Sequence, residues 1–309
     1  MPSPPSGTAE RLRSLPFVVV GLRPSDAPLP HPVTAPPDDG WLDLCDVVVA
    51  EDEPARRAIE QNLESMPIAA TALALLLRGQ RERDSADGLV AESATYSVLQ
   101  SGPEFAAWRA RTPARTDRDD DTARVRLDRG GDGAGDTLTV TLTRPSRLNA
   151  LDTAMRDALD EALTTALADP TVAAVEMRGE GRAFCAGGDL HEFGTRPDPA
   201  RAHLVRLQRS VARDLIRLGS LGKVTTAYIH GPTVGSGIEL AAWADRVVAA
   251  PDTEIALPEI GLGLVPGAGG TVSLPRRIGR LCTAWLAFSG LTIDAETALA
   301  WGLVDEIAF

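Results

Sequence analysis

The sequence predicts an α/β protein in which a layered core follows a mostly helical front segment, and two patterns carry that expectation. From Thr137 to Phe309, β-branched runs alternate with segments whose apolar residues recur every three or four positions, as strands and helices do around one core. From Glu53 to about Ala110 the helical period dominates, and its first two segments each open on a proline at a plausible first helical position.

Taken in order, residues 1–10 are rich in Pro, Ser and Gly and read as disordered. Phe17–Leu22 and Asp46–Ala50 read as short strands. The segment between them, carrying Pro24, Pro28, Pro30, Pro32, Pro36 and Pro37, cannot be regular structure. EPARRAIEQNLESM and PIAATALALLLR are helices beginning at Pro54 and Pro67, and GLVAESATYSVLQ and PEFAAWRAR give two more. The charged stretch 112–136 is a linker with one strand at Arg124–Asp128 and a Gly-rich turn. LTVTLT is a strand, and Asp152 caps a helix with Met155, Leu159, Ala162, Leu163, Ala166 and Leu167 on one face. VAAVEMRG is a strand, Arg201–Leu218 a helix and KVTTAYIHG a further strand.

Composition excludes several function classes. A net charge of −12 argues against a nucleic-acid surface. The longest apolar stretch, Ile68–Leu77, falls far short of the roughly 18 residues that suggest a membrane span, and MPSPPSGTAERLRS has no apolar signal core, so no membrane partner or export is expected. Cys45, Cys185 and Cys282 are odd in number and widely spaced, which suits a reducing, cytoplasmic setting and offers no metal-ligand spacing. Cys185 reads as a small buried residue rather than a nucleophile.

Two glutamates stand beside glycine-rich turns, Glu239 in GSGIEL and Glu259 in LPEIGLGLVPGAGGT. Either alone would usually be a solvated or ion-paired side chain. Together they supply two carboxylates for proton transfer, with backbone N–H groups to hold a developing negative charge. They also fall in a fixed order after TLTVTLTRPSRLNALD, RGEGRAFCAGGDLHEF and KVTTAYIHGPTVGSG. This order of motifs resembles the crotonase (enoyl-CoA hydratase/isomerase) superfamily, and the resemblance selects a ββα spiral over a doubly wound sheet.

The resemblance implies further roles. The oxyanion donors would be the N–H groups of Gly188 and Ser236, the latter at a position where relatives carry glycine; Glu239 and Glu259 would hold a water, with Glu259 delivering a proton to the α-carbon. Gly267 would help to hold that water. Ala186 and Leu190 would line the path of coenzyme A, and Arg144, Arg147 and Arg182 are candidates for its phosphates. No tightly bound cofactor is implied, coenzyme A entering as part of the thioester substrate, and a homotrimer or hexamer is the implied assembly. His191 and His230 occupy places where relatives often carry lysine and asparagine, and each reads as an exposed or satisfied histidine.

The resemblance implies hydration of a 2-enoyl-CoA; the alternatives are an enoyl-CoA isomerase using Glu259 alone, or a catalytically silent acyl-CoA-binding homologue. It also divides the chain into an N-terminal extension at 1–115, a linker and first strand at 116–136, and a core at 137–309. The front helices resemble, in order and spacing, the helices that follow this core in relatives, so a circular permutation is expected, with Trp108 and Arg111 near the coenzyme A site. An unrelated helical interaction domain is the competing expectation.

Overall fold

The computed structural model describes residues 7–8, 12, 15–24, 42–112, 122–131, 135–195 and 198–308. A parallel pair, β1 (Val20–Arg23) and β2 (Val47–Ala50), precedes the helices α1 (Pro54–Ser65), α2 (Pro67–Arg78), α3 (Ser85–Gln100) and α4 (Pro103–Arg111). The first strand begins later than Phe17 because pairing starts at Val20 opposite Val47. Conversely, α3 begins before Gly88: the Asp84 side chain accepts the Asp87 N–H at 2.8 Å and caps the helix there. Almost all of residues 1–10, most of the proline-rich segment and the linker turn at 132–134 lie outside the described residues.

The core contains β3 (Val125–Gly131), β4 (Asp136–Leu142), α5 (Thr153–Ala168), β5 (Val172–Gly179), α6 (Pro199–Gln208), α7 (Val211–Ser220) and β6 (Val224–Ile229). It continues through β7 (Pro232–Val234), α8 (Ser236–Ala241), β8 (Arg246–Ala249), β9 (Glu254–Ala256), α9 (Gly270–Ser289), β10 (Ile293–Asp294), α10 (Ala295–Trp301) and β11 (Glu306–Ile307). Six strands form one sheet in the order β11-β8-β6-β5-β4-β3, parallel except for β3, and β10-β9-β7 form a second. The chain steps from β6 in one sheet to β7 in the other and then into α8, and repeats the step through β8, β9 and α9. This is the expected ββα spiral.

The expectation of one helix over Arg201–Leu218 is corrected. The segment breaks at Arg209 because the Ser210 hydroxyl accepts the Arg213 N–H and starts a second helix. The Asp152 cap of α5 is found as expected, accepting the Met155 N–H at 2.7 Å. Met155, Leu159, Ala162, Leu163 and Ala166 are buried beneath it, while Leu167 is only partly so.

The front helices α1, α2 and α3 pack on α9, and α3 also packs on α6. Leu73 and Leu77 of α2 are fully buried in the same apolar cluster as Leu274 and Phe288 of α9. Polar ties register this contact. Asn62 donates to the Phe288 carbonyl at 2.8 Å, and the Trp285 indole donates to Glu53 at 2.9 Å. Within the front segment itself, Asp46 is buried against Arg78, whose Nε and Nη2 approach its two oxygens at 2.8 and 2.6 Å. Replacing Leu73 with Ala therefore removes packing shared by front segment and core, and is expected to destabilise the whole protein by about 2–5 kcal/mol in urea unfolding. A loss below about 1 kcal/mol would mean that this contact contributes little to the common core.

Candidate active site

The turn at Cys185–Asp189 is fixed from both sides by backbone bonds. Ala186 N–H donates to Leu148 O at 2.9 Å and Leu151 N–H to Gly187 O at 2.8 Å, while Val234 N–H reaches Cys185 O at 3.0 Å. Asn149, itself at φ 54°, donates from Nδ2 to the Glu180 and Ala183 carbonyls and holds the preceding loop against this turn. The expectation that Arg144 meets a ligand phosphate is corrected: its guanidinium is buried and lies 2.8 Å from Asp189, which locks the turn from beneath.

Gly188 and Ser236 are thereby brought together, since a Cβ built on Gly188 would lie 3.7 Å from Ser236 Oγ. Among the described residues, neither the Gly188 nor the Ser236 N–H donates to a backbone or side-chain acceptor. Serine is tolerated at 236 because the left-handed backbone sits one residue earlier, on Gly235 at φ 50°. Ser236 is the first residue of α8 and needs no positive φ. Gly235 is also obligatory for space, because a Cβ there would come within 2.3 Å of Glu259 Oε1.

Glu239 sits on α8 with its Oε2 accepting the N–H groups of Ala268 (2.7 Å) and Gly270 (2.8 Å) at the start of α9. Glu259 opens the short 3₁₀ turn after β9, and its buried Oε2 has no hydrogen-bond partner among the described residues. A further carboxylate, Glu92 of α3, reaches the same helix start. One oxygen accepts from Gly269 N–H at 2.7 Å, the other from Thr271 N–H at 2.9 Å and from the Thr271 hydroxyl at 2.7 Å.

Burial pushes all of these carboxyls upward. For Glu92 the Glu239 charge adds to burial, against the bonds from Thr271 and Gly269, and the result is about 8. Glu239 rises to about 7, burial outweighing the N–H groups of Ala268, Gly270 and Gly267. Glu259 goes well above the ordinary range through burial, then the charges of Glu239 and Glu92. Between Glu239 and Glu259 the proton is therefore favoured on Glu259, because Glu239 is the carboxylate supported by backbone donors.

All three glutamates line one cavity of about 950 Å³, together with Gly188, Ser236, Gly267, Ala186 and Leu190. Gly267 has no room for a side chain, because a Cβ there would meet the Tyr96 ring at 2.4 Å. Arg147 does not line the cavity, although its loop packs on the Cys185–Asp189 turn. Arg182 is exposed, and Trp108 and Arg111 lie outside the cavity wall, the tryptophan stacked on Phe105. Cys185 is buried with its thiol pushed up to about 11 by burial, which removes any nucleophilic role at neutral pH. His230 bonds the Gly181 carbonyl at 2.9 Å.

The sequence reading missed Glu92, though a signal was present. Leu89, Glu92, Ser93, Tyr96 and Leu99 follow helical spacing and are all buried, so a glutamate stands on the buried face.

The family model described as enoyl-CoA hydratase/isomerase matches residues 134–308. The chain belongs to the enoyl-CoA hydratase/isomerase family. Among curated relatives in this family, the 2,3-dehydroadipyl-CoA hydratase of Escherichia coli is 36% identical over 170 residues, covering 55% of this chain and 65% of the relative. The 1,2-epoxyphenylacetyl-CoA isomerase of the same organism is 35% identical over 171 residues, with 55% and 65% covered. The crystal structure of enoyl-CoA hydratase from Thermoplasma volcanium matches at TM-score 0.54 and 35% identity, over 60% of this chain and 72% of that one. The chain thus spans slightly under two thirds of the length of these two curated relatives.

The coupled carboxyls make stability pH-dependent with a definite sign. Glu92 has its folded value raised above the ordinary 4.5, so the folded protein binds more protons than the unfolded chain between about pH 4.5 and 8. Stability contributed by this group is full below 4.5 and falls as pH rises through that window. Glu92→Gln removes this contribution and relieves the charge facing Glu239 and Glu259. The drop in Tm between pH 5 and pH 8 should therefore shrink on thermal unfolding, and an unchanged or steeper drop would contradict this assignment.

Proposed function

We propose that the protein hydrates a 2-enoyl-CoA thioester. The observation that carries the reading is the convergence on one cavity of Glu239, Glu259 and the two N–H groups of Gly188 and Ser236 that have no acceptor among the described residues. The thioester oxygen sits between those N–H groups, where negative charge develops as water attacks. Glu239, as the carboxylate, takes a proton from water while the hydroxyl bonds to the β-carbon. Glu259, held protonated by burial and by the Glu239 charge, gives its proton to the α-carbon. The product is a 3-hydroxyacyl thioester, and a proton returned from Glu239 to Glu259 resets the site.

Coenzyme A enters as part of the substrate, with Ala186 and Leu190 along its path and Arg147 near its phosphates. We further infer that the front helices stand in for helices that follow the core in relatives, that residues 1–115, 116–136 and 137–309 are the units of this arrangement, and that the protein works as a cytoplasmic trimer or hexamer. Among the described residues no helix is long and apolar enough to cross a membrane.

Isomerisation is the second reading, favoured by the unpartnered Glu259 Oε2, which could shuttle a proton without help from Glu239. Glu259→Gln is expected to lower kcat for hydration by about 10² or more while acyl-CoA binding survives, followed by loss of the conjugated thioester absorbance. The same variant tested on a 3-enoyl thioester, beside Glu239→Gln, separates the readings: a hydratase needs both carboxyls, an isomerase only Glu259.

Ser236 supplies an independent test. Proline is sterically suited to the first position of a helix but has no N–H, so Ser236→Pro should fold and lose activity by about 10²–10³. Ser236→Gly should retain or raise it. Equal turnover by the two variants would remove this N–H from the mechanism.

A further inference from the structure

Arg206 of α6 lines the cavity in an arrangement that its structural bonds do not exhaust. Its Nε donates to Ser93 Oγ at 3.1 Å and its Nη2 to the Ser93 carbonyl at 3.2 Å and to the Ser97 hydroxyl. Its guanidinium carbon lies 4.8 Å from the centre of the Tyr96 ring. Nη1 donates to nothing among the described residues, and the Tyr96 hydroxyl likewise has no partner there.

Other arginines of the cavity wall are matched by acids. Arg156 lies 2.6 Å from Asp157, Arg201 lies 3.5 Å from Asp198, and Arg209 lies 3.8 Å from Asp160. Arg206 has no carboxylate within ion-pair distance among the described residues. Glu92, the acid whose charge it feels, has both oxygens engaged by Gly269 and Thr271. A largely buried cation held without a counter-ion is costly unless a ligand supplies the charge, and a guanidinium with open N–H groups suits a carboxylate.

The place of Arg206 indicates which part of a ligand it would meet. Tyr96 lies against Gly267 and feels the charges of Glu259, Glu239 and Glu92, so Arg206 stands one aromatic ring beyond the reacting carboxyls. It is reached through α3 and α6, whereas Ala186, Gly188 and Leu190 belong to the Cys185–Asp189 turn and the residue that follows it.

We propose that the end of the acyl cavity is a carboxylate-binding subsite, with Arg206 as its cation and Tyr96 as a further donor, and that the preferred substrates are thioesters whose acyl chain ends in a carboxylate. This deepens the hydratase reading and rests on its assignment of the cavity to acyl-CoA. The hydrogen bonds to Ser93 and Ser97 hold the guanidinium in place, and its stacking on Tyr96 keeps the free edge in the cavity.

The test is calorimetric and needs no turnover. Saturated monothioesters of dicarboxylic acids (succinyl-, adipyl- and suberyl-CoA) are titrated into the full chain beside butyryl-, hexanoyl- and octanoyl-CoA, with 6-aminohexanoyl-CoA as the opposite charge. At the chain length that spans the cavity, the carboxylated ligand should bind at least about tenfold tighter than its uncharged counterpart, and the amino ligand more weakly than either. In Arg206→Met the ratio of carboxylated to uncharged affinity should fall to about one. Arg206→Lys should keep part of it, since it keeps charge without the planar fork.

Equal or weaker binding of the carboxylated ligands at every length overturns the proposal while leaving the acyl-CoA reading intact. So does an equal loss of both ligand types and of free coenzyme A in Arg206→Met, which would assign the cation to the coenzyme A moiety. Failure of every thioester to bind overturns the acyl-CoA reading and this subsite with it. Should Arg206→Met not fold, the wild-type ligand series decides by itself.

Discussion

The start of α9 is the constraint on which the site depends. Its first N–H groups have no partners within the helix, and they are shared between two carboxylates that arrive from opposite ends of the sequence. Glu239 comes from α8 in the core and Glu92 from α3 in the front segment. The positive end of the helix makes their charge tolerable in a buried place, yet burial keeps every carboxyl there close to its proton. The same interaction therefore joins the front segment to the core, aims Glu239 into the cavity and sets which carboxyl carries a proton.

Around that point, space is allotted by the absence of side chains. Gly235 leaves room for the Glu259 carboxyl, Gly267 for the Tyr96 ring and Gly237 for the Cys185 carbonyl. Only the first of these also requires a left-handed backbone. That distinction explains why a serine fits at position 236: it follows the positive-φ glycine and begins a helix, so its side chain meets no backbone strain.

The fold was largely legible before the structure, because its elements announce themselves locally. Pro54 and Pro67 start helices, Asp152 caps one, and the β-branched runs become the strands of the two sheets. The two missed helix boundaries share a cause. Asp84 and Ser210 each cap a helix through one side-chain bond, and such a bond outweighs the weaker signal of apolar spacing. Arg144 was misread for a different reason: an arginine in a loop looks solvent-exposed until the partner acid, Asp189, is brought beneath it by the fold.

Sequence alone determined the alternation of strands and helices, with the family resemblance selecting the spiral, and its short contiguous strings marked Glu239, Glu259, Gly188 and Ser236 as candidates. Tertiary structure decided that Glu92 joins those carboxyls and that Arg206 stands behind Tyr96 with no acid at ion-pair distance among the described residues. Both facts depend on α3 lying across α9 and α6, a contact between segments more than a hundred residues apart. Local patterns report which face of a helix is buried, but not what that face is buried against, and for a charged side chain the identity of the neighbour sets its cost, its protonation and its use.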